Sequence, residues 1–142
     1  MYKFIVGFSF CCAIGFVSCQ NNKAPAKAID RLSDTTNFTT IQWADTAKDF
    51  GSVVKGAKPK IIYTCTNTGN KPLFIAYVRP SCGCTVADYT KDAIMPGKEG
   101  TITAEFDSNH GTGEIHKSIE VAVNAKNRPA IYLTFTGNVL DK

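Results

Sequence analysis

The sequence predicts an all-β protein built as a sandwich of two antiparallel sheets. Three segments in the last third of the chain alternate apolar and polar residues, which is the pattern of strands with one buried and one solvated face. Turn-forming residues separate the short apolar runs at intervals of ~8–12 residues. No stretch of a dozen residues shows the period of an amphipathic helix.

The three alternating segments are Thr101–Phe106, Lys117–Val123 and Ala130–Thr136. Successive side chains of a strand point to opposite faces, so each segment presents one apolar row to a core. The predicted core rows are Ile102, Ala104 and Phe106, then Ile119, Val121 and Val123, then Ile131, Leu133 and Phe135.

Two earlier runs, Ile61–Thr66 and Leu73–Val78, are rich in β-branched and aromatic residues and predict two further strands. Between them, Asn67–Pro72 contains the residues that favour turns. The only tryptophan, Trp43, is expected in the first strand. An antibody-type domain is excluded, because its buried tryptophan lies between two bridged cysteines, whereas Trp43 precedes the first cysteine of this domain.

The N-terminus has the features of an export signal. Lys3 is followed by the apolar run Phe4–Val17, which is shorter than the about 20 residues that span a bilayer as a helix. Phe16–Cys19 resembles a bacterial lipobox, in which the cysteine receives lipid, and the chain becomes polar immediately after it. The alternative is an ordinary signal peptide with a coincidental cysteine.

The predicted domain organisation follows from this signal. Residues 1–18 are the lipoprotein signal peptide, residues 19–40 are the lipidated N-terminus and a tether, and residues 41–142 form the sandwich domain. The acyl chains on Cys19, such as palmitate, are covalent, and no other cofactor is expected. The polar start at Gln20–Lys23 lacks an acidic run, so we expect the protein in the outer membrane of a bacterial envelope, facing the periplasm. A surface adhesin-type module is an alternative.

Composition and charge restrict the function. Hydrophobic residues make up 44% and charged residues 20%, which is ordinary for a globular protein. The net charge of +4 is too small to indicate a nucleic-acid binder. Basic residues predominate between Lys48 and Arg79, and acidic residues between Ser81 and Glu120. We interpret these runs as solvated faces, and the alternative is a sandwich with one basic and one acidic edge that orients it at a partner.

Several short motifs lie along the predicted domain: Asp49–Val53, Gly56, Asn67–Asn70 with Leu73 and Val78, Ser81–Thr85, Pro96–Gly97 and Gly137–Val139. Together they resemble the domain-of-unknown-function 1573 family, which consists of Ig-like exported proteins that are abundant in Bacteroidota and often lipid-anchored. The resemblance covers about Ile41–Val139 and implies an Ig-like antiparallel β-sandwich of about seven strands, related to pilus-chaperone and sperm-protein sandwiches, with no established activity. Cys65 stands where the family usually has an inward-facing aromatic residue.

The pair Cys82 and Cys84, separated by Gly83, is the candidate disulfide or thiol site. A disulfide between them stabilises the fold by only about 1.6 kcal/mol before strain, because the closed loop has three residues. Three alternatives remain: one of the two cysteines bridges to Cys65, the pair works as a reversible redox couple, or two thiolates hold Cu(I). A structural zinc site lacks its second pair of ligands.

No catalytic constellation is present, so the chain is expected not to be an enzyme. His110 and His116 have no third metal ligand nearby, and we expect them to be exposed. Glu105 and Glu120 fall on solvated strand faces without a second carboxylate for glycoside chemistry. The sequence therefore predicts a monomeric, lipid-anchored binding or structural module. It is expected to contact the membrane through its lipid and to bind an unknown envelope protein or glycan, with no metal and no nucleic acid.

Overall fold

The computed structural model describes Leu32 and residues 34–141. The predicted signal peptide, the predicted lipidation site Cys19 and most of the predicted tether lie outside these residues. In the part of the chain that is described, no helix is long and apolar enough to cross a membrane.

The described residues form eight strands and two short 3₁₀ helices, and the predicted all-β sandwich is confirmed. The 3₁₀ helices are Thr35–Asn37 and Ser108–His110. The strands are β1 (Ile41–Trp43), β2 (Ala47–Val54), β3 (Lys60–Asn67), β4 (Ile75–Pro80), β5 (Thr85–Tyr89), β6 (Glu99–Phe106), β7 (Gly113–Val123) and β8 (Ala130–Leu140).

The strands are shared equally between two sheets. Sheet I has the order β1-β3-β6-β5, and sheet II has the order β2-β8-β7-β4. The strand number exceeds the expected seven because the chain crosses from sheet I to sheet II after Trp43, dividing one edge segment into β1 and β2. The chain does not reverse at this crossing, so β2 runs parallel to β8, whereas the other strand pairs are antiparallel.

The core lies between the two sheets and contains the predicted apolar rows. Phe106 and Phe135 are fully buried, and Phe50 joins them in a three-ring cluster with centroids 5.8 to 6.2 Å apart. The glycine at position 137 makes room for Phe50, because a Cβ atom there would collide with the phenyl ring. The Phe50 ring therefore covers β8 directly.

The chain enters the sandwich at one end, which we call the entry end. Thr39 forms a bridge with Ala125 just beyond β7, and β1 begins opposite Asn67 at the end of β3. The opposite, distal end comprises the turn between β4 and β5, the loop between β2 and β3, and the 3₁₀ helix Ser108–His110. The eight residues of β6 separate the two ends by roughly 24 Å.

Two buried asparagine side chains hold the entry end together. Asn67 accepts hydrogen bonds from Thr39 Oγ1 (2.8 Å) and the Gly69 backbone (3.1 Å), and its amide donates to two backbone carbonyls at 2.8 Å. Asn124 donates to the Asn37 carbonyl at 2.8 Å. Residues 34–40, assigned by the sequence to the tether, therefore contact the domain.

Candidate functional site

The turn between β4 and β5 joins the two sheets at the distal end. On one side, the Ser81 backbone donates to the Ser118 carbonyl at 2.9 Å, and Ser81 Oγ accepts from the Ser118 backbone at 3.2 Å. On the other side, the Cys84 carbonyl accepts from the Asp107 backbone at 2.9 Å. These bonds attach the turn to sheet II and to sheet I without any help from a covalent link.

Cys82 and Cys84 form a disulfide in the structure, with Cα atoms 5.2 Å apart. Both residues are half-buried, and Cys84 packs against the edge of the core. Gly83 between them is exposed. The two sulfur atoms lie 3.8 and 4.0 Å from the Thr85 hydroxyl oxygen. The turn thus presents a small covalent ring at the surface.

Cys65 lies away from this ring. It is fully buried in β3 opposite Gly100, whose carbonyl accepts from the thiol at 3.6 Å. Burial raises the pKa of the thiol to about 11, so the sulfur stays protonated and unreactive at neutral pH. The side chain behaves as a small buried hydrophobe.

Gly83 differs from the other glycines of the domain because nothing in the folded state requires it. A Cβ atom at position 83 would meet no atom within 4 Å, and its φ angle is not in the left-handed region. The remaining glycines have a steric or a conformational reason. A Cβ would collide at Gly69, Gly100, Gly111 and Gly137, and φ is positive at Gly51, Gly56, Gly97 and Gly113.

Most of the motifs on which the family resemblance rests have a role in the fold. Asn67–Gly69 holds the entry end, and Gly137 accommodates Phe50. Asp49 Oδ1 accepts from the Gly51 backbone at 2.7 Å, which supports the positive φ at Gly51. These motifs are explained by folding. Ser81–Thr85 is the motif with an exposed centre and a glycine that the fold does not need.

The distal end also exposes aliphatic side chains. Val86 follows the disulfide ring in β5 and is 72% exposed. Val54 and Leu140 face each other at the ends of β2 and β8 and are 49% and 46% exposed. Val86 is the exposed apolar residue beside the turn, whereas Val54 and Leu140 lie at the opposite edge of sheet II.

The other sequence candidates are separated in the structure. His110 ends the second 3₁₀ helix and His116 lies within β7, and both are exposed. Glu105 lies 3.6 Å from Lys60 in an ion pair across β3 and β6. Among the described residues, no group of three or more His, Cys, Asp or Glu side chains is arranged to hold a metal ion.

The charged residues of the two segments lie opposite each other on neighbouring strands, which does not favour separate basic and acidic edges. Lys60 on β3 is paired with Glu105 on β6, and Arg79 on β4 is paired with Glu120 on β7. The basic segment of the sequence contributes strands to both sheets, so its basic residues are divided between the sheets.

Four residues on the outward face of sheet II form a cluster that the sequence did not single out; we call it the tyrosine patch. The Tyr77 hydroxyl donates to Glu120 Oε1 at 2.9 Å, and the Arg79 guanidinium carbon lies 4.3 Å from the centre of the Tyr77 ring. Tyr132 lies opposite Glu120 on β8 and is 65% exposed. The hydrogen bond to Glu120 raises the pKa of Tyr77. The sequence signal that could have revealed this cluster was Tyr132, a large aromatic residue on the polar face of the alternating segment Ala130–Thr136.

Comparison with known families identifies the fold. The family model described as "Protein of unknown function (DUF1573)" matches residues 41–139, which confirms the resemblance drawn from the motifs. No curated protein matches the sequence.

Solved structures with the same fold are distant in sequence. A protein of unknown function from Porphyromonas gingivalis W83 has a TM-score of 0.65 at 18% identity, covering 73% of this chain and 48% of that one. This chain therefore spans about half of that protein. PapD-like domain 7 of human CEP192 has a TM-score of 0.60 at 9% identity, covering 75% and 89% of the two chains.

A YadV chaperone has a TM-score of 0.50 at 13% identity, covering 70% of this chain and 51% of that one. At these identities the similarity shows a shared β-sandwich fold. Neither the family nor these structures point to a catalytic role.

Proposed function

The chain belongs to the DUF1573 family of proteins of unknown function, and from this premise we propose that it is a lipid-anchored, noncatalytic binding module of the bacterial cell envelope. In this proposal, acyl chains on Cys19 hold it at the outer membrane, facing the periplasm, and the distal end contacts an envelope protein. The protein acts as a monomer and binds no nucleic acid.

The observation that carries the proposal is the position of the Cys82–Cys84 turn. It lies at the end of the sandwich opposite to the entry of the chain, so an anchored protein would hold it away from the membrane. The length of the domain, roughly 24 Å along β6, would then separate the turn from the lipid on Cys19.

The chemistry of the distal end favours a protein partner. Val86 supplies exposed apolar surface beside the turn, and Gly83 allows a partner's backbone to approach the turn without meeting a side chain. Because β4 and β5 are already attached to their sheets, the ring is a rigid contact surface that loses little entropy on binding.

Site-specific cross-linking tests the distal contact in native membranes. A photoreactive amino acid at Val86 is expected to capture a defined envelope protein from cells that express the full-length chain. Met95, which is 52% exposed at the entry end, is the matched control position and is expected to yield no such product. Equal products from both positions, or none from Val86, would refute the distal contact.

Lipid anchoring has a separate test. Wild-type protein is expected in the detergent phase of a phase-separation extract, and Cys19→Ala is expected to accumulate as an unprocessed precursor without lipid. Recovery of the wild-type protein in the aqueous phase would contradict the anchor. Protease sensitivity in intact cells would instead indicate the surface adhesin-type arrangement.

A thiol function is the second candidate, favoured by the exposure of the ring. The Cys82–Cys84 disulfide closes a minimal loop that the fold does not need, and two electrons and two protons convert it to a dithiol. Differential alkylation of periplasmic extracts distinguishes the possibilities. A stable disulfide supports the binding module, a mixture that follows the redox conditions supports a redox couple, and two free thiols support Cu(I) binding.

A further inference from the structure

The tyrosine patch on sheet II lies on a different surface from the distal end and is not used by the function proposed above. We propose that it is a binding site for a neutral sugar chain. In this site the Tyr132 ring is the stacking surface, and Arg79 and Glu120 are the side chains that hydrogen-bond sugar hydroxyls.

The strand register gives the patch a flat, sugar-sized shape. Arg79, Glu120 and Tyr132 occupy neighbouring strands in one row, so the row spans roughly 10 Å from the first Cα to the last. In the adjoining row, Tyr77 and Ala130 lie on either side of Ala122, which is buried, and the exposed Ala130 carries only a methyl group. Beside Tyr132 on β8, this short side chain therefore leaves room for one face of a pyranose.

Two of the polar side chains are held in place before any ligand arrives. Tyr77 donates to one carboxylate oxygen of Glu120 at 2.9 Å, and the Arg79 guanidinium lies 4.3 Å above the Tyr77 ring. The register also sets Arg79 directly opposite Glu120 on the neighbouring strand. Side chains that are already ordered lose less entropy on binding, which favours affinity for a small polar ligand.

The chemistry of the patch matches a sugar better than an ion. An aromatic face is electron-rich and attracts the C–H groups of a pyranose face. A guanidinium offers parallel N–H donors, and a carboxylate offers two acceptors, so together they pair with adjacent hydroxyl groups. The charges of Arg79 and Glu120 cancel, so neither an anionic nor a cationic ligand is favoured overall.

The surroundings favour a chain of sugars over a docked protein. Along sheet II, the next rows contain Ser118 with Thr134, then His116 with Thr136, all on the outward face. The hydroxyl and imidazole groups of these rows extend the tyrosine patch along the sheet and could hydrogen-bond further sugar units. A protein interface has a larger apolar centre, whereas Tyr132 is the one large exposed hydrophobic residue among these rows of described residues.

Binding of full-length protein in detergent micelles to an array of neutral and anionic oligosaccharides tests the proposal. We expect binding to neutral oligosaccharides of hexoses or N-acetylhexosamines, and calorimetry with the strongest neutral probe then provides the affinity. Tyr132→Ala is expected to weaken binding roughly tenfold, whereas Tyr132→Phe keeps the ring and the affinity. Glu120→Gln keeps the volume, loses the carboxylate and weakens binding as well.

The control is Ile62→Ala on the outward face of sheet I, where the side chain is 52% exposed, and it is expected to bind as the wild type does. Binding to no neutral probe, or only to anionic probes, overturns the proposal. The proposal is also overturned if Tyr132→Ala and Glu120→Gln lower the stability of the protein but leave its sugar affinity unchanged. The two side chains would then serve only to pair neighbouring strands. Failure here leaves the cross-linking result at Val86 unaffected, so the two proposals fail separately.

Discussion

At the scale of the residue, Asn67 shows why a polar side chain is placed in an apolar core. Its amide and carbonyl make four hydrogen bonds to the entry segment and to two loops, so it replaces backbone pairing where no strand is available. The Asn-Thr-Gly motif at residues 67–69 is therefore a structural clamp. Gly69 completes it, because a Cβ atom would collide with Thr39 and lie 2.7 Å from the Thr40 backbone nitrogen.

Replacement of Asn67 is expected to be strongly destabilising. Asn67→Ala removes a buried side chain and leaves its buried partners without hydrogen bonds, for a loss of roughly 2–4 kcal/mol in the free energy of unfolding. Urea unfolding measures the loss. Asn70→Ala, at an exposed position of the same turn, is the control and should change stability by less than about 0.5 kcal/mol. Equal effects would refute the clamp.

Gly83→Ala is expected to stabilise the oxidised protein. The site has room for a Cβ and no left-handed φ, so alanine mainly reduces the entropy of the unfolded chain, a gain of roughly 0.4–1 kcal/mol. Gly69→Ala is the matched control and should destabilise, because it collides with the entry segment. Thermal unfolding under oxidising conditions measures both. A destabilised Gly83→Ala variant would show that the fold does need this glycine.

Cys65 makes stability depend on pH in the alkaline range. The thiol ionises near pH 9.0 when exposed, and burial raises its pKa to about 11 in the fold. Its contribution is therefore complete below pH 9.0 and is lost as the pH rises through about 11. Buried Tyr63, with a pKa raised to about 12, continues this trend at higher pH.

The measurement is urea unfolding at several pH values in a Cys82→Ser/Cys84→Ser background, which prevents thiol exchange. Cys65→Ala in that background is expected to be less stable at neutral pH but to show a flatter decline between pH 9.0 and about 11. The Cys65 thiol should also resist alkylation until the protein is denatured. Rapid alkylation of the native protein would contradict its burial.

At the scale of the element, the Cys82–Cys84 turn is held by its neighbours. Hydrogen bonds from Ser81 to Ser118 and from Asp107 to Cys84 fix the ends of β4 and β5. Cys82→Ser/Cys84→Ser is therefore expected to lower stability by at most about 1.6 kcal/mol. Phe106→Ala removes one ring of the three-ring cluster and serves as the comparison, with an expected loss of roughly 3–5 kcal/mol in the free energy of unfolding. A loss for the double variant as large as that for Phe106→Ala would show that the disulfide supports the fold.

At the scale of the whole molecule, the position of the domain boundary affects stability. Thr39 and Asn37 are partners of the buried Asn67 and Asn124, so a fragment that starts at residue 41 leaves both amides with lost bonds. A fragment that starts at residue 34 is expected to be more stable by roughly 2–3 kcal/mol. Both fragments should be β-rich by circular dichroism. Equal unfolding midpoints would show that residues 34–40 belong to the tether and do not stabilise the domain.

How much the sequence predicts depends on the kind of pairing involved. The segments that became β3, β6, β7 and most of β8 alternate regularly because each has one buried face, so local periodicity predicts them. Strand β5 has the apolar Val86 at an exposed position, and β2 bends at Gly51. In neither strand do apolar and polar residue types alternate regularly along the sequence. These edge strands were missed as strands, although the class of fold was predicted correctly.

The sequence by itself determined the sandwich, the family and the cysteine pair, because alternation, motif spacing and the separation of Cys82 from Cys84 are local properties of the chain. Only the tertiary structure decided which end of the sandwich carries that pair, and that Arg79, Glu120 and Tyr132 share one row. The physical reason is that register between distant strands is set by core packing and by backbone hydrogen bonds across sheets. Residues about 40 or 12 positions apart become neighbours only through that register.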